Sequence, residues 1–200
     1  MNDQGGAMAE ELMDLLGKVH LGDPMLMGEI SVVPLLGGGP GPEAELLEDA
    51  LEAGTAVVEE VGEAGVVQQV KVSYTGSAVL LLVDGEEIVG AKQNRVLNAS
   101  FLVPPGPPVI IPVSCVEQGR WRYTSRGFSS SGRTISSRAR SEKLRRVHHS
   151  VVTTSRYDAD QGAVWNDVED ILQRTHVSSS SMAYSDAAEA RSVSVEDRLE

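Results

Sequence analysis

The stretch between residues 55 and 116 constrains the fold more than any other part of the chain. Six short segments (55–61, 66–74, 78–83, 87–91, 95–103 and 109–116) are rich in Val, Leu and Ile, and most are separated by breaks containing Gly, Pro, Ser or Asp. Segments of this length with many β-branched residues fit a pleated, half-buried surface better than a helix. Turns at such close intervals predict an antiparallel β sandwich or barrel. Asp84-Gly85, between two of the segments, is the two-residue signal of a type I′ hairpin. The Pro-rich run 104–108 reads as a turn.

The flanks carry a 3.6-residue period instead. Leu12, Leu15, Leu16 and Val19 predict a short docking helix over 8–19. A strand follows over 29–36, interrupted by Pro34, then a loop over 37–41 and a helix between Pro42 and Gly54 that buries Leu46, Leu47, Ala50 and Leu51. Beyond Trp121 the Ser-, Gly- and Arg-rich residues 125–137 read as a mobile loop. Leu144, Val147 and Val151 give a helix over 141–152; Val164, Val168, Ile171 and Leu172 give another over 158–176, with Asp158 and Gln161 spaced as a capping box. The expected class is mostly β with α: an antiparallel sandwich or barrel followed by two or three packed helices. The expected organisation is a docking helix or tail over 1–20, one β-rich domain with C-terminal helices over 21–176, and a polar, partly helical tail over 177–200. Aromatic residues are few, so Trp121 and Trp165 are expected to be buried.

Cys115 is the only cysteine, which excludes an intrachain disulfide and the usual Cys-based zinc sites. The start of the chain lacks the basic and apolar segments of a signal peptide, and nothing approaches the roughly 18 apolar residues of a membrane span. The expectation is a cytoplasmic protein with no membrane contact. The net charge of −12 hides an asymmetry: residues 118–156 hold ten Arg or Lys against one acid, Glu142. That basic segment either neutralises the acidic body or docks an acidic protein partner. Nucleic acid is disfavoured, because aromatic residues are sparse around Arg138–Arg146 and the total charge is acidic. His148-His149 reads as a surface pair. The run Gly37-Gly38-Gly39-Pro40-Gly41 lacks the Walker and dinucleotide patterns, so no cofactor is expected.

One polar constellation stands out between apolar runs: Glu86, Glu87, Lys92, Gln93, Asn94 and Arg95. Lys92 and Arg95 suit a phosphate or carboxylate, and Gln93 and Asn94 suit a ribose hydroxyl or a base edge. If the 95–103 and 109–116 strands pair, Glu117 and Arg120 arrive at the same end as Lys92 and Arg95. Two readings remain open. In one, Lys92, Arg95 and Arg120 form an anion site, with Glu87 and Asn94 contacting the rest of the ligand. In the other, Glu86, Glu87 and Glu117 simply neutralise those cations. A hydrolytic version makes Glu86 or Glu87 the general base, with Cys115 as an auxiliary group; the competing view of Cys115 is a small buried core residue.

The segment from Asp84 to Asn98, the run Ile111-Pro112-Val113-Ser114-Cys115-Val116-Glu117 through Gly119-Arg120-Trp121, and Asp160-Gln161-Gly162-Ala163-Val164-Trp165 resemble the domain named for its association with ADP-ribosylglycohydrolases and rhodanese-phosphatase proteins. The resemblance covers about residues 21 to 200 and is to the front part of that family, or to a short member. The family name describes genomic association and assigns no catalytic residues. It implies, as an expectation, a phosphate-bearing ligand such as an ADP-ribose or NAD-related metabolite.

Overall fold

The computed structural model of the chain describes residue 10 and residues 13–28, 30–37 and 43–196, the last five of these for their backbone alone. It forms two compact units, Met1–Glu43 and Ala44–Glu200. In the first, residues 10 and 13–17 are helical; Leu12 of the expected helix lies outside the described residues, as does most of the 37–41 loop. The strand expected over 29–36 is two strands, β3 (Ile30–Val32) and β4 (Leu35–Leu36), broken at Pro34. They pair antiparallel with β2 (Met25–Met27) and β1 (His20–Leu21), one pair nested inside the other.

The second unit is built on a closed six-stranded barrel. Its strands are β6 (Ala56–Glu60), β7 (Gln69–Tyr74), β9 (Glu86–Gly90), β10 (Arg95–Leu97), β12 (Val109–Cys115) and β13 (Phe128–Thr134), in the order β10-β12-β7-β6-β13-β9. Every neighbouring pair is antiparallel. Alternation places Val58, Val70, Val72, Ile88, Leu97, Ile111, Val113 and Phe128 in one apolar core. Burying each of these side chains stabilises the fold by about 1.5–3 kcal/mol. A small second sheet joins β5 (Ala44–Leu46), β8 (Val79–Leu82) and β11 (Phe101–Val103), with β5 and β8 parallel. The expected helix after Pro42 begins later, as α1 (Leu47–Glu52), because Ala44–Leu46 is taken up by this sheet.

Asp84-Gly85 is not a type I′ hairpin. Its flanking strands belong to different sheets, and only Gly85 has positive φ (+78°), with Glu86 N–H donating to Val83 O, as in a type II turn. The turn carries the chain from the small sheet into the barrel. The residues expected as a mobile loop over 125–137 contain β13, the strand that closes the barrel. A bulge between Ser130 and Thr134, with Gly132 at φ +67°, fits this polar strand against β9.

Three further helices follow: α2 (Ser137–Thr154), α3 (Gln161–Thr175) and α4 (Tyr184–Glu196). They share a second apolar cluster with Val96 and Val116, so β10 is buried on both faces. The buried face of α2 is Ala139, Lys143 and Val147; Leu144, expected on that face, is 45% exposed. Lys143 Nζ donates to the Asp84 carboxylate and to the carbonyls of Leu97 and Asn98 (both 2.9 Å), tying the helix to the turn and the barrel. The cap of α3 is Asp160 rather than Asp158, its carboxylate accepting from Ala163 N at 3.2 Å. Gln161 instead bonds both backbone groups of Cys115, at 2.8 Å each, where β7 no longer pairs with β12. In the basic segment, Arg120, Arg133, Arg138, Arg140, Lys143 and Arg146 each pair with an acid of the same chain. No described helix is long and apolar enough to cross a membrane.

Candidate functional site

The β9–β10 connection, at one mouth of the barrel, holds the polar constellation. β9 stops because Gly90 (φ +117°) and Ala91 (φ +41°) both leave the extended region. A side chain at Gly90 would meet Ser125 Oγ at 2.4 Å, so the kink requires glycine there. The kink turns the Gly90 and Ala91 carbonyls toward Arg120, which bonds them at 3.3 and 2.8 Å. Strain of this kind at a non-glycine residue persists only where surrounding contacts hold it. Ser125 Oγ supplies another such contact, accepting from Ala91 N at 2.8 Å.

Strand pairing brings the two halves of the constellation together as expected, since Arg95 lies opposite Cys115. Arg120 donates to Glu117 through Nε (2.8 Å) and Nη2 (2.6 Å), and to Asn94 Oδ1 at 3.0 Å. Asn94 N–H donates to Glu117 Oε2 at 3.1 Å, and Gln93 Nε2 donates to Glu117 O at 2.8 Å. Burial opposes the Glu117 carboxylate, but the Arg120 fork and the Asn94 N–H outweigh it and hold the pKa below the ordinary value. Gln93, Asn94, Arg95 and Glu117, all buried, and the partly buried Arg120 therefore form one network, in which Glu117 neutralises Arg120.

Arg95 is different. It is 0% exposed, its Nη1 donates to Gln93 Oε1 at 2.9 Å, and its Nε and Nη2 have no hydrogen-bond partner. Glu60 Oε1 stands 3.5 Å from Nη2 as a charge partner, and Glu60 Oε2 is itself unpartnered. Burial pulls the Arg95 pKa down and the Glu60 carboxylate pulls it back; an arginine starts so high that it remains a cation. Burial likewise pushes the Cys115 thiol up, only partly offset by the Glu117 N–H and Arg95. A thiol held in its neutral form, and fully buried, suits a core position better than a nucleophile.

Trp121 covers this end of the barrel, 48% exposed rather than buried as expected. Its ring lies 5.7 Å from the Arg95 guanidinium and 5.3 Å from Lys92 Nζ. Lys92 also faces the Tyr123 ring at 5.0 Å and donates to the carbonyls of Glu63 (2.7 Å) and Ala64 (2.5 Å). Trp165, also expected to be buried, is half-buried, with its indole N–H enclosed and unpartnered. Beside the mouth runs an open groove of about 610 Å³, lined by Glu59, Glu60, Lys71, Tyr123, Ser125 and Arg126 among others. Glu60 thus links the groove to Arg95.

Glu86 and Glu87 do not join this network. Glu86 begins β9, at the strand end away from the kink, and its Oε2 accepts from Val83 N at 3.3 Å; burial raises its pKa. Glu87 pairs across the strand with Val96 and faces the helices. The sequence reading missed Glu60, Trp121 and Tyr123. Glu60 had a signal: it continues the inward register of Ala56 and Val58, so its charge falls where an apolar residue belongs. No cluster of His, Cys, Asp or Glu able to hold a metal occurs among the described residues.

No curated protein and no solved structure matches the chain. A family model matches it from residue 18 to residue 200, and the chain therefore belongs to the family of the ARG and Rhodanese-Phosphatase-superfamily-associated Protein domain.

Proposed function

We propose that the protein is a binding module for a phosphate-bearing small molecule, held at the barrel mouth between the groove and Arg95. The observation that carries this reading is the Arg95 guanidinium, fully buried with two nitrogens unpartnered. Buried donors of this kind are rare and costly unless a ligand or water completes them. A phosphate or carboxylate oxygen suits Arg95, and the unpartnered Glu60 oxygen suits a sugar hydroxyl. Trp121 and Tyr123 offer ring faces to a base, and the exposed Arg126 adds positive charge at the groove rim. Lys92, Gln93, Asn94, Glu117 and Arg120 then act as the frame that holds Arg95, because their own hydrogen bonds are largely made internally.

The family's association, with ARG read as ADP-ribosylglycohydrolase, suggests an ADP-ribose or NAD-related metabolite in the cytosol as the ligand class. Hydrolysis by Glu86 or Glu87 gains less support, since neither carboxyl makes a hydrogen bond to the mouth network. Docking of an acidic partner on the basic segment also has less to recommend it, because six of its cations are already paired.

A thermal-shift screen with ADP-ribose, NAD, AMP and ribose 5-phosphate tests the reading. A ligand present at about 100 times its Kd adds about 2.7 kcal/mol to stability, which a melting curve resolves. At least one probe is expected to raise Tm in the wild type, with the rise abolished in Trp121→Leu, a change at a half-exposed ring that leaves the core intact. No shift with any probe at millimolar concentration would count against the site.

A further inference from the structure

Among the described residues, a second poorly accommodated group lies outside the mouth. Glu87 is 0% exposed, and neither of its carboxyl oxygens has a hydrogen-bond partner. It sits between β9 and α4, on the face that Val96 and Tyr184 share with the helical cluster. The groups around it come from three elements. From β13, Ser131 Oγ lies close without completing a hydrogen bond, and Arg133 is drawn 3.8 Å from Glu189. From the segment after β12 comes Glu117, and from α4 come Tyr184 and Glu189. Two of the neighbouring charges are therefore acids, and the cation acting on Glu87, Arg133, is shared with Glu189; Arg191, further along α4, acts on Tyr184.

An ionised carboxylate in such a place is strongly disfavoured, whereas the protonated acid is tolerated. We propose that Glu87 is a proton switch that seats α4 on the barrel and, through α4, steadies the mouth. The link to the mouth is on the same segment: Tyr184 N–H bonds Val116 O at 2.9 Å, Gly119 N–H bonds Ser181 O at 2.7 Å, Glu117 bridges to Ala183, and Asn94 Nδ2 reaches Ser185 Oγ at 3.5 Å. These contacts hold the backbone on either side of the Glu117–Arg120 pair, so loosening α4 loosens that frame.

Burial is the main reason the Glu87 pKa rises to about 7, with Ser131 and Arg133 offsetting it and Glu117 and Glu189 adding to it. The seated state thus binds a proton more tightly than the released state. Seating is strongest at low pH, weakens as the pH climbs from the ordinary carboxyl range to about 7, and levels off above it. Between pH 6 and pH 8 the seating equilibrium is expected to fall about tenfold.

Hydrogen exchange of the full chain at those two pH values, corrected for intrinsic rates, reads this directly. Peptides over Tyr184–Glu196 should lose about tenfold protection at the higher pH, while β7 peptides stay constant. In Glu87→Gln, which carries no titrating proton, the α4 protection should be equal at both pH values. Equal protection in the wild type, or the same loss in Glu87→Gln, overturns the proposal. If that variant does not fold, a carboxyl-carbon NMR titration of the wild type decides: a midpoint near 7 supports the switch, and one in the ordinary carboxyl range overturns it. Neither measurement uses a ligand, so failure here is distinct from failure of the binding site.

Discussion

Lys143→Ala should lower the unfolding free energy by about 3 kcal/mol, toward the lower end for breaking a buried ion pair. The lysine is almost wholly enclosed, and its ammonium joins Asp84 to the carbonyls of Leu97 and Asn98. Without it the Asn98 carbonyl and one face of a buried carboxylate lose their partner, the Leu97 carbonyl keeps only the Gly85 N–H, and a cavity opens beneath α2. Arg140, itself partly exposed, still reaches Asp84 Oδ2 at 3.0 Å and limits the loss. The double variant Lys143→Met with Asp84→Asn should be closer to wild type than Lys143→Ala, because an unpartnered charge costs more than the pair contributes. Urea unfolding of the three proteins checks this. A loss below about 0.5 kcal/mol, the size of an ordinary surface effect, would mean that Lys143 is not buried as described.

Arg120→Ala is expected to cost about 3–5 kcal/mol at pH 7. The side chain supplies both arms to Glu117 and also bonds Gly90 O, Ala91 O and Asn94 Oδ1. The effect should depend on pH in a definite direction. In the wild type the folded Glu117 pKa lies below its ordinary value, so its contribution is present above the ordinary carboxyl range and lost as the pH falls through the folded pKa. In the variant only the Asn94 N–H and Ser181 still oppose burial, so the folded pKa rises and less stability is lost as the pH falls. The gap between the two proteins should therefore narrow on going from pH 7 to pH 4. Taking the difference cancels the titration of Glu87, which both proteins share. A gap that is constant with pH would show that Arg120 acts through packing rather than through Glu117.

Much of the barrel is legible in the sequence, because its inward side chains alternate and its segments end in turn residues. The barrel strands β6, β7, β10 and β12 lie within the apolar segments marked out in the sequence, as does β8 of the small sheet. β13 is not legible: Phe128-Ser129-Ser130-Ser131-Gly132-Arg133-Thr134 has one apolar side chain, and its strand character comes from pairing with β9. The 95–103 segment divides at Asn98, whose side chain turns to Ser114 and Tyr157, a choice set by tertiary contacts. Helical periodicity selects Leu144 for the inner face of α2 because a buried lysine makes sense only once Asp84 is known to lie beneath it. At the mouth, strand pairing is enough to join Arg95 to Glu117 and Arg120. What it does not reveal is which cations are already satisfied, and that distinction separates Arg120, fully engaged, from Arg95.

That distinction is the centre of the account, and calorimetric titration of ADP-ribose into the wild type and Arg95→Lys tests it most directly. Lysine keeps the charge opposite Glu60 and so preserves the fold, but it lacks the guanidinium fork. The expected result is binding by the wild type and an affinity at least about tenfold weaker in Arg95→Lys, the loss of roughly one charge-assisted hydrogen bond. Equal affinity in two folded proteins would place the ligand elsewhere and contradict the assignment of the barrel mouth.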